Sequence, residues 1–139
     1  MNLFDLSGKT ALVTGGNGGI GYGIAKGLAE AGADIVIAAR DESKTDQSVK
    51  SIKAFGVNAT GLDVDVANES SVKKMVAESI DCTGHIDILI NNAGVETDEF
   101  VEDIDENRIE EVLTTNLLAP MRLTRQVLPG MIKRGRGHL

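Results

Sequence analysis

The stretch TGGNGGIG at residues 14–21 decides the fold of this chain. It follows a short apolar run at residues 10–14 (TALVT) and opens a segment, residues 20–31, whose apolar residues recur at helical spacing. Because glycine has no Cβ, the backbone can turn sharply there, and a phosphate group can approach the N–H groups that begin a helix. Two glycine patterns overlap in the stretch: G-x-G-x-x-G at Gly16, Gly18 and Gly21, and T-G-x-x-x-G-x-G at Gly15, Gly19 and Gly21. A plain tight turn would also need glycines, but a strand before the loop and a helix after it favour a dinucleotide-binding turn.

Apolar runs and helical patterns alternate along the rest of the chain. Strands are predicted at residues 10–14, 35–39, 57–64 and 86–90, and helices at 20–31, 43–55, after Asn68, and from about 105 to 131. The continuous apolar character of the strands indicates a sheet that is covered on both faces. Strand–helix alternation at this spacing predicts parallel strands joined by right-handed crossovers. We therefore expect one domain over residues 1–139, with a Rossmann-like, doubly wound α/β fold and strand order 3-2-1-4.

Unusual residues follow the strands where such a sheet binds its ligand. Doubly wound sheets bind ligands at the carboxyl ends of the strands, at the switch point between strands 1 and 4. The glycine stretch follows strand 1, and residues 91–94 (NNAG) follow strand 4. Asp65 and Val66 follow strand 3. Asp63 is close enough to be a competing candidate for the position of Asp65.

Taken together, these motifs resemble the short-chain dehydrogenase/reductase family. The similarity comprises the T-G-x-x-x-G-x-G loop, the pair Asp65-Val66, the N-N-A-G motif at residues 91–94, and Thr115-Asn116-Leu117 in the last helix. The motifs occur in the family's order and cover essentially the whole chain. The resemblance implies an NAD(P)-dependent oxidoreductase that transfers a hydride between a nicotinamide cofactor and a small carbonyl or alcohol substrate. It implies that the Asp65 carboxylate accepts from the adenine amino group, that Asn91 braces the sheet, and that residues 92–94 lie beside the cofactor ribose.

The residues after strand 2 favour NADP over NAD. NAD-binding folds of this type usually read the ribose with an acidic side chain at the end of strand 2, about 20 residues past the glycine loop. Family spacing assigns that place to Ala39, followed by Arg40. A small residue followed by Arg admits a 2′-phosphate and neutralises it through charge-assisted hydrogen bonds. The competing interpretation is that Asp41 binds the ribose of NAD. The predicted cofactor contacts are Gly15, Asn17, Gly18, Gly19, Ile20, Gly21, Arg40, Asp65, Val66, Asn92, Ala93 and Gly94.

Asn116 is the one catalytic residue of the family that we identify. Apolar spacing along the last helix places Asn116 on the inward stripe, together with Ile109, Val112, Leu113, Pro120, Leu123 and Val127. Pro120 has no N–H, so the carbonyl of Asn116, four residues earlier, is expected to be free to hold a water. The resemblance implies that this Asn holds a water in a proton relay. A core Asn that braces a neighbouring loop is the alternative.

The remaining catalytic groups of the family are expected beyond this chain. In the family, a Tyr acts as general acid and base, a Lys lowers its pKa, and a Ser polarises the substrate oxygen. The Tyr and Lys form a Y-x-x-x-K motif after strand 5, and residues 135–139 (GRGHL) stand where that strand should begin. Tyr22 and Lys26 share this spacing, but they lie in the first helix, where we interpret them as a helix contact. We expect an incomplete chain that binds cofactor and is inactive alone. A non-catalytic binding module, or a truncation product with an unpaired strand 4, are the alternatives.

Composition excludes several other classes of protein. A net charge of −7 argues against binding to a nucleic-acid backbone, and no apolar run approaches membrane-spanning length. One Cys excludes an intrachain disulfide, no signal-peptide pattern opens the chain, and His85 and His138 lack neighbours at metal-ligand spacing. The basic run Lys133, Arg134 and Arg136 is interpreted as a solvated loop. We therefore expect a cytoplasmic protein without a metal. The family resemblance implies that the full-length parent is a homo-oligomer, because in that family the last helix commonly helps to build the subunit interface.

Overall fold

The computed structural model describes residues 3–139 as an alternation of strands and helices. The strands are β1 Thr10–Thr14, β2 Asp34–Ala39, β3 Ala59–Asp63 and β4 Ile88–Ile90. The helices are α1 Gly19–Glu30, α2 Glu42–Lys53, α3 Glu69–Thr83, α4 Glu106–Leu113 and α5 Ala119–Arg134, with a π-helical turn at Thr114–Leu118 between the last two. The predicted elements are all present, and their ends shift by a few residues.

The four strands form one parallel sheet in the order β3-β2-β1-β4, as the sequence predicts. At its centre Leu12 is paired with Val36 on one side and with Leu89 on the other. Alternate residues of β1 and β2 point to opposite faces, so the sheet has two apolar layers. One layer packs under α3 and α5, and the other under α1 and α2. The switch between β1 and β4 therefore lies between two covered faces.

Helix α1 packs on the sheet mainly through small residues. Apolar periodicity in residues 20–31 predicts an inward face of Ile20, Ile24, Leu28 and Ala31, of which Leu28 packs against the core layer. The buried residues are instead Gly21, Ala25 and Ala29, while Ile20 is 79% exposed. Because these side chains are small, the axis of α1 lies close to the sheet. The backbone of the helix is then buried against the strands, where a helix with larger residues would bury side chains. The prediction was wrong by one position because it gave weight only to the larger residues.

The last helical segment is interrupted by a π-helical turn just before Pro120. The N–H of Ala119 donates to the carbonyl of Thr114, five residues earlier. Pro120 has no N–H to donate, and its ring displaces the carbonyl four residues before it. The helical hydrogen bonds therefore change locally from a spacing of four residues to a spacing of five. The extra residue changes the helical phase, and the core-facing residues are Thr115, Ala119, Leu123, Val127 and Met131. Asn116 is exposed, so its predicted inward position was wrong.

The end of the chain packs along the outer edge of β4. His138 forms a parallel bridge with Ile88, and its carbonyl accepts from the N–H of Leu89 at 2.9 Å. The expectation that strand 4 has an unpaired edge is therefore wrong for this part of it.

The basic run near the end of the chain is exposed, as the sequence predicts, but its two arginines also have partners within the protein. The Arg134 guanidinium donates to the carbonyl of Ile86 at 2.5 Å. Arg136 Nε lies 3.6 Å from Oδ1 of Asp87, whose side chain is only 4% exposed. The other oxygen of Asp87, Oδ2, accepts from the N–H of Thr10 at 3.1 Å. These groups join α5 to the amino ends of β1 and β4. No helix among residues 3–139 combines the length and the apolar character that a membrane span requires.

The close approach of α1 predicts opposite effects for two glycine substitutions in that helix. A Cβ on Gly21 would collide with the carbonyl of Gly15 and the amide of Asn92, whereas a Cβ on Gly23 would meet nothing within 4 Å. We expect Gly21→Ala to lower the free energy of unfolding by roughly 1–3 kcal/mol, through overpacking. Gly23→Ala should raise it by roughly 0.5–1 kcal/mol, through helix propensity. Urea unfolding of both variants measures the difference; equal effects would contradict the packing argument.

Candidate functional site

A cleft of about 450 Å³ opens at the carboxyl ends of the strands. Its lining includes eight of the predicted cofactor residues, namely Gly15, Asn17, Arg40, Asp65, Val66, Asn92, Ala93 and Gly94. Gly18 lines a separate shallow depression beside Tyr22. Gly19, Ile20 and Gly21 begin α1 and do not line the cleft. Asp63, the competing candidate for Asp65, lines a different depression on the far side of α2.

Thr14 joins the ends of β1 and β4 at the floor of the cleft. Its hydroxyl donates to the carbonyl of Ile90 at 3.3 Å and accepts from the N–H groups of Asn92 and Ala93, each at 3.1 Å. The side-chain amide of Asn92 in turn donates to the carbonyls of Thr14 at 3.0 Å and Gly15 at 3.3 Å. These bonds fix the N-N-A-G segment directly beside the glycine loop.

Asn91 and Asn92 both hold the end of β4, and they do so on different sides. Asn91 Nδ2 donates to the hydroxyl of Thr124 at 3.2 Å, which ties the end of β4 to α5. Asn92 instead bonds across to β1, as described above. The two residues are adjacent, but their side chains emerge on opposite sides of the extended chain, so only one of them can reach the glycine loop.

The glycine loop has the close backbone approach that the sequence predicts. Gly15 has φ +63°, in the left-handed region, and a Cβ there would lie 3.0 Å from Asn92 Nδ2 and 3.3 Å from the Cα of Ala93. At Gly16, a Cβ would lie 3.1 Å from the carbonyl of Val13. The loop is therefore packed against its neighbours at the backbone level, and a side chain at either position would separate it from them.

The N-terminus of α1 differs from those of the following helices. Helices α2, α3 and α4 are capped by the side chains of Asp41, Asn68 and Asp105, and each has a Glu in its first turn. Helix α1 begins after Gly18, with no side-chain cap and no acidic residue in its first turn. The first N–H groups of a helix carry a partial positive charge and need acceptors. This end of α1 is thus suited to an external anion.

Asn17 holds the loop to α2. Its Nδ2 donates to Thr45 Oγ1 at 3.1 Å and to the carbonyl of Asp41 at 3.3 Å. Its backbone carbonyl accepts from the hydroxyl of Ser48 at 3.2 Å. The side chain is therefore occupied within the protein, and Asn17 positions the loop while it lines the cleft.

One wall of the cleft carries basic side chains at the start of α2. Arg40 is exposed and directly follows Ala39, whose small side chain ends β2. Asp41 caps α2, because its Oδ1 accepts from the N–H of Lys44 at 3.0 Å. Lys44 also lines the cleft, although none of the motifs described above includes it. The feature of the sequence that could have identified it is its position in the first turn of α2, four residues after Arg40.

Asp65 and Val66 form the opposite wall. Asp65 is exposed; its Oδ1 accepts from the N–H of Ala67 at 3.0 Å, and its own N–H donates to Ser71 Oγ at 3.0 Å. Val66 packs on the core layer under α3. The Asp65 carboxylate thus has a fixed backbone partner at the rim of the cleft.

Asn116 lies behind the cleft wall and bonds to the segment after Gly94. Its Oδ1 accepts from the N–H of Val95 at 2.9 Å, and its Nδ2 donates to the carbonyl of Val95 at 2.7 Å. Arg108 supports the same segment, because its guanidinium donates to the carbonyl of Glu96 and, at 2.5 Å, to Glu111 Oε2. The amide of Asn116 thus braces a neighbouring loop, as one of the two sequence hypotheses holds, although it does so at the surface.

The other candidate groups lie away from the cleft. Tyr22 packs against the core layer under α1, and Lys26 lies 3.8 Å from the Glu30 carboxylate in the same helix. His85 Nε2 lies 2.9 Å from Asp87 Oδ2, so His85 is part of the charged cluster at the amino ends of the strands. Among residues 3–139, no three His, Cys, Asp or Glu side chains come together as metal ligands would.

Comparison with known proteins gives a family match over most of the chain. The family model described as short chain dehydrogenase matches residues 9–139. Ketoacyl reductase HetN of a Nostoc species is 40% identical over 134 residues, which are 96% of this chain and 47% of that protein. The chain spans about half the length of the curated relatives it matches.

Solved structures agree with the fold. L-sorbose reductase from Gluconobacter frateurii, complexed with NADPH and L-sorbose, superposes with a TM-score of 0.92 at 36% identity, over 97% of this chain and 53% of that chain. An NAD⁺-bound xylitol dehydrogenase superposes with a TM-score of 0.89 at 32% identity, over 94% of this chain and 51% of that chain.

The junction at Thr14 predicts a large effect for a substitution that keeps its shape. Thr14→Val removes the hydroxyl and leaves the half-buried N–H of Ala93 without its acceptor, while the N–H of Asn92 keeps only the carbonyl of Ile90, at 3.1 Å. We expect it to lower the free energy of unfolding by roughly 1–3 kcal/mol. Thr14→Ser retains the hydroxyl and is the matched control. Hydrogen exchange at Asn92 and Ala93 should become faster in Thr14→Val and should change much less in Thr14→Ser; unchanged exchange in both would show that the junction does not depend on the hydroxyl.

Proposed function

This chain belongs to the short-chain dehydrogenase family, and from that premise we propose that it is the cofactor-binding part of an NADP-dependent oxidoreductase. The parent protein would transfer a hydride between the nicotinamide of NADP and a small carbonyl or alcohol compound. Because the chain spans about half the length of its relatives, hydride transfer is proposed for the whole protein and cofactor binding for this chain. The single observation that carries the proposal is the cleft that brings together the glycine loop at Gly15 and Asn17, the end of β2 at Arg40, and residues 92–94 after β4.

The residues of the cleft fit a dinucleotide. The close approach at Gly15 and the absence of a cap or an acid at the start of α1 provide N–H donors for the pyrophosphate. Asp65, Val66 and residues 92–94 line the same cleft. We propose that Asp65 and Val66 bind the adenine edge and that residues 92–94 lie beside the cofactor ribose. We propose the same set for the cofactor as the motifs indicate, with Gly18, Gly19, Ile20 and Gly21 contributing through the start of α1.

The charge at the end of β2 supports NADP over NAD. Ala39 leaves room where an acidic side chain would exclude a phosphate, and Arg40 follows it at the rim of the cleft. Asp41, the competing ribose ligand, has one oxygen engaged as the cap of α2. Among the similar structures, the L-sorbose reductase was solved with NADPH and the xylitol dehydrogenase with NAD⁺, so the assignment depends on these local residues.

For Asn116 we propose a catalytic role of the kind that its family position implies. The nicotinamide supplies or accepts the hydride when it is bound. Asn116 holds Val95 at both its N–H and its carbonyl, which fixes the wall directly after Gly94. Because Pro120 removes one N–H from the helical ladder, the Asn116 carbonyl is proposed to hold a water that relays a proton.

Exposed apolar residues on α4 and α5 support the proposal that the parent protein is a homo-oligomer. Met121, Leu128 and Ile132 are 63%, 36% and 69% exposed, and they lie on the side of α5 opposite its core-facing residues. Leu113 and Leu117 extend this surface, at 51% and 54% exposed. A surface of this kind is typical of an interface between protein chains.

The interface proposal predicts that charge on this surface reduces self-association. We expect Met121→Glu combined with Ile132→Glu to shift the protein toward monomer, because two carboxylates would lose their solvation in the interface. Sedimentation velocity measures the distribution of species. Val101→Glu, at a residue that is 89% exposed and outside this surface, is the control and should leave the distribution unchanged. Identical distributions for all three proteins would overturn the interface.

Cofactor titration tests the central proposal. Calorimetry with NADP⁺ and NAD⁺ should show saturable binding of both and tighter binding of NADP⁺. Arg40→Gln should weaken the binding of NADP⁺ by roughly tenfold, since an exposed charge-assisted hydrogen bond contributes about 1–1.5 kcal/mol to the binding free energy. NAD⁺ lacks the 2′-phosphate and serves as the internal control, with an expected change below about twofold. No saturable binding of either dinucleotide at millimolar concentration would rule out the function proposed here.

A further inference from the structure

Lys44 lines the cleft on the same wall as Arg40, although no glycine, N-N-A-G or D-V motif includes it. It lies in the first turn of α2, and its side chain is 70% exposed. Its ammonium can therefore reach a ligand at the rim without any movement of the backbone.

Asp41 would otherwise place an unfavourable charge at this wall. A carboxylate next to Arg40 repels a phosphate. In this structure both oxygens of Asp41 face Lys44: Oδ1 accepts the backbone N–H at 3.0 Å, and Oδ2 lies 3.9 Å from the ammonium. The first contact is a helix cap, which holds the carboxylate in place. The second is longer than a hydrogen bond, so the ammonium is only loosely held.

We propose that Lys44 is a specificity-determining residue that binds the 2′-phosphate of NADP together with Arg40. This inference rests on the proposed cofactor function. The ammonium contacts the phosphate, while the backbone N–H of the same residue keeps Asp41 turned into the cap of α2. Arg40 and Lys44 contribute two positive charges at this wall and Asp41 one negative charge. A 2′-phosphate carries a charge of about −1.5 to −2 at neutral pH, so it needs both cations.

A charge-neutral substitution tests the contact. Lys44→Gln should weaken NADP⁺ binding by roughly three- to tenfold and change NAD⁺ binding by less than about twofold, as for one exposed charge-assisted contact. Lys50→Gln removes the same charge from the same helix away from the cleft, and it should change neither affinity. The NADP⁺ effect of Lys44→Gln should shrink between 50 mM and 500 mM salt, because screening weakens an exposed charge contact. A purely structural role would not produce that salt dependence.

Asp41→Asn separates direct contact from indirect masking. Asn caps a helix about as well as Asp, so this variant removes the charge and keeps the start of α2. If Lys44 contacts the phosphate directly, Asp41→Asn alone tightens the binding of NADP⁺. In the Asp41→Asn background, Lys44→Gln then still weakens NADP⁺ binding at least threefold. If the Lys44→Gln effect disappears in that background, Lys44 acts only by masking Asp41, and the proposed contact is wrong.

The two proposals can fail separately. If the unsubstituted protein binds NADP⁺ saturably and Lys44→Gln leaves the ratio of NADP⁺ to NAD⁺ affinity unchanged, only the role of Lys44 is overturned. If the unsubstituted protein binds neither dinucleotide, the cofactor function is overturned, and the role of Lys44 with it.

Discussion

The hydrogen bonds between Thr14 and Asn92 are the interaction on which the rest of the site depends. β1 and β4 are adjacent in the sheet but come from opposite halves of the chain, and Thr14 and Asn92 are 78 positions apart in the sequence. Past the last ladder pair, the two strands diverge and their backbone groups need new partners. The Thr14 hydroxyl and the Asn92 amide supply these partners in both directions. These hydrogen bonds continue the pairing of β1 and β4 beyond the sheet, and they hold the floor of the cleft in a fixed position relative to the strands.

That junction also explains why the residues around it are small. Asn92 can reach the carbonyls of Thr14 and Gly15 only if the loop and the start of α1 approach within van der Waals contact. Gly15 and Gly21 permit this approach because neither carries a Cβ. Ala25 and Ala29 continue the same small-residue face toward the end of α1. The shape of the glycine loop thus depends on what packs beneath it as much as on the phosphate to which its N–H groups are proposed to donate.

The sequence predicted the features that depend on local pattern. Strand order, the glycine loop and the Asn68 cap follow from periodicity and turn chemistry, and all are confirmed. Features that depend on distant partners were missed or wrong. Asp87 is held by Arg136, nearly fifty residues away, so a pattern search could interpret the arginines only as solvated. The π-helical turn contains Asn116 and places Thr115 toward the core in its stead, whereas Leu123 and Val127 keep their predicted inward positions. The predicted cofactor residues remain predictions, although most of them share one cleft.

A preference for NADP over NAD at the rim of the cleft would oppose the electrostatic effect of the whole chain. The net charge is −7, so the long-range field disfavours a dinucleotide that carries extra phosphate. Screening limits that field to about 8–10 Å at physiological ionic strength. The lining of the cleft carries both signs of charge: Arg40 and Lys44 are cationic, and Asp41, Asp65 and Glu111 are acidic. Asp41 is the acid next to Arg40, and both of its oxygens face Lys44. On the proposed function, the arrangement of charge around the 2′ position would therefore matter more than the total charge, and Arg40 and Lys44 together would select NADP over NAD.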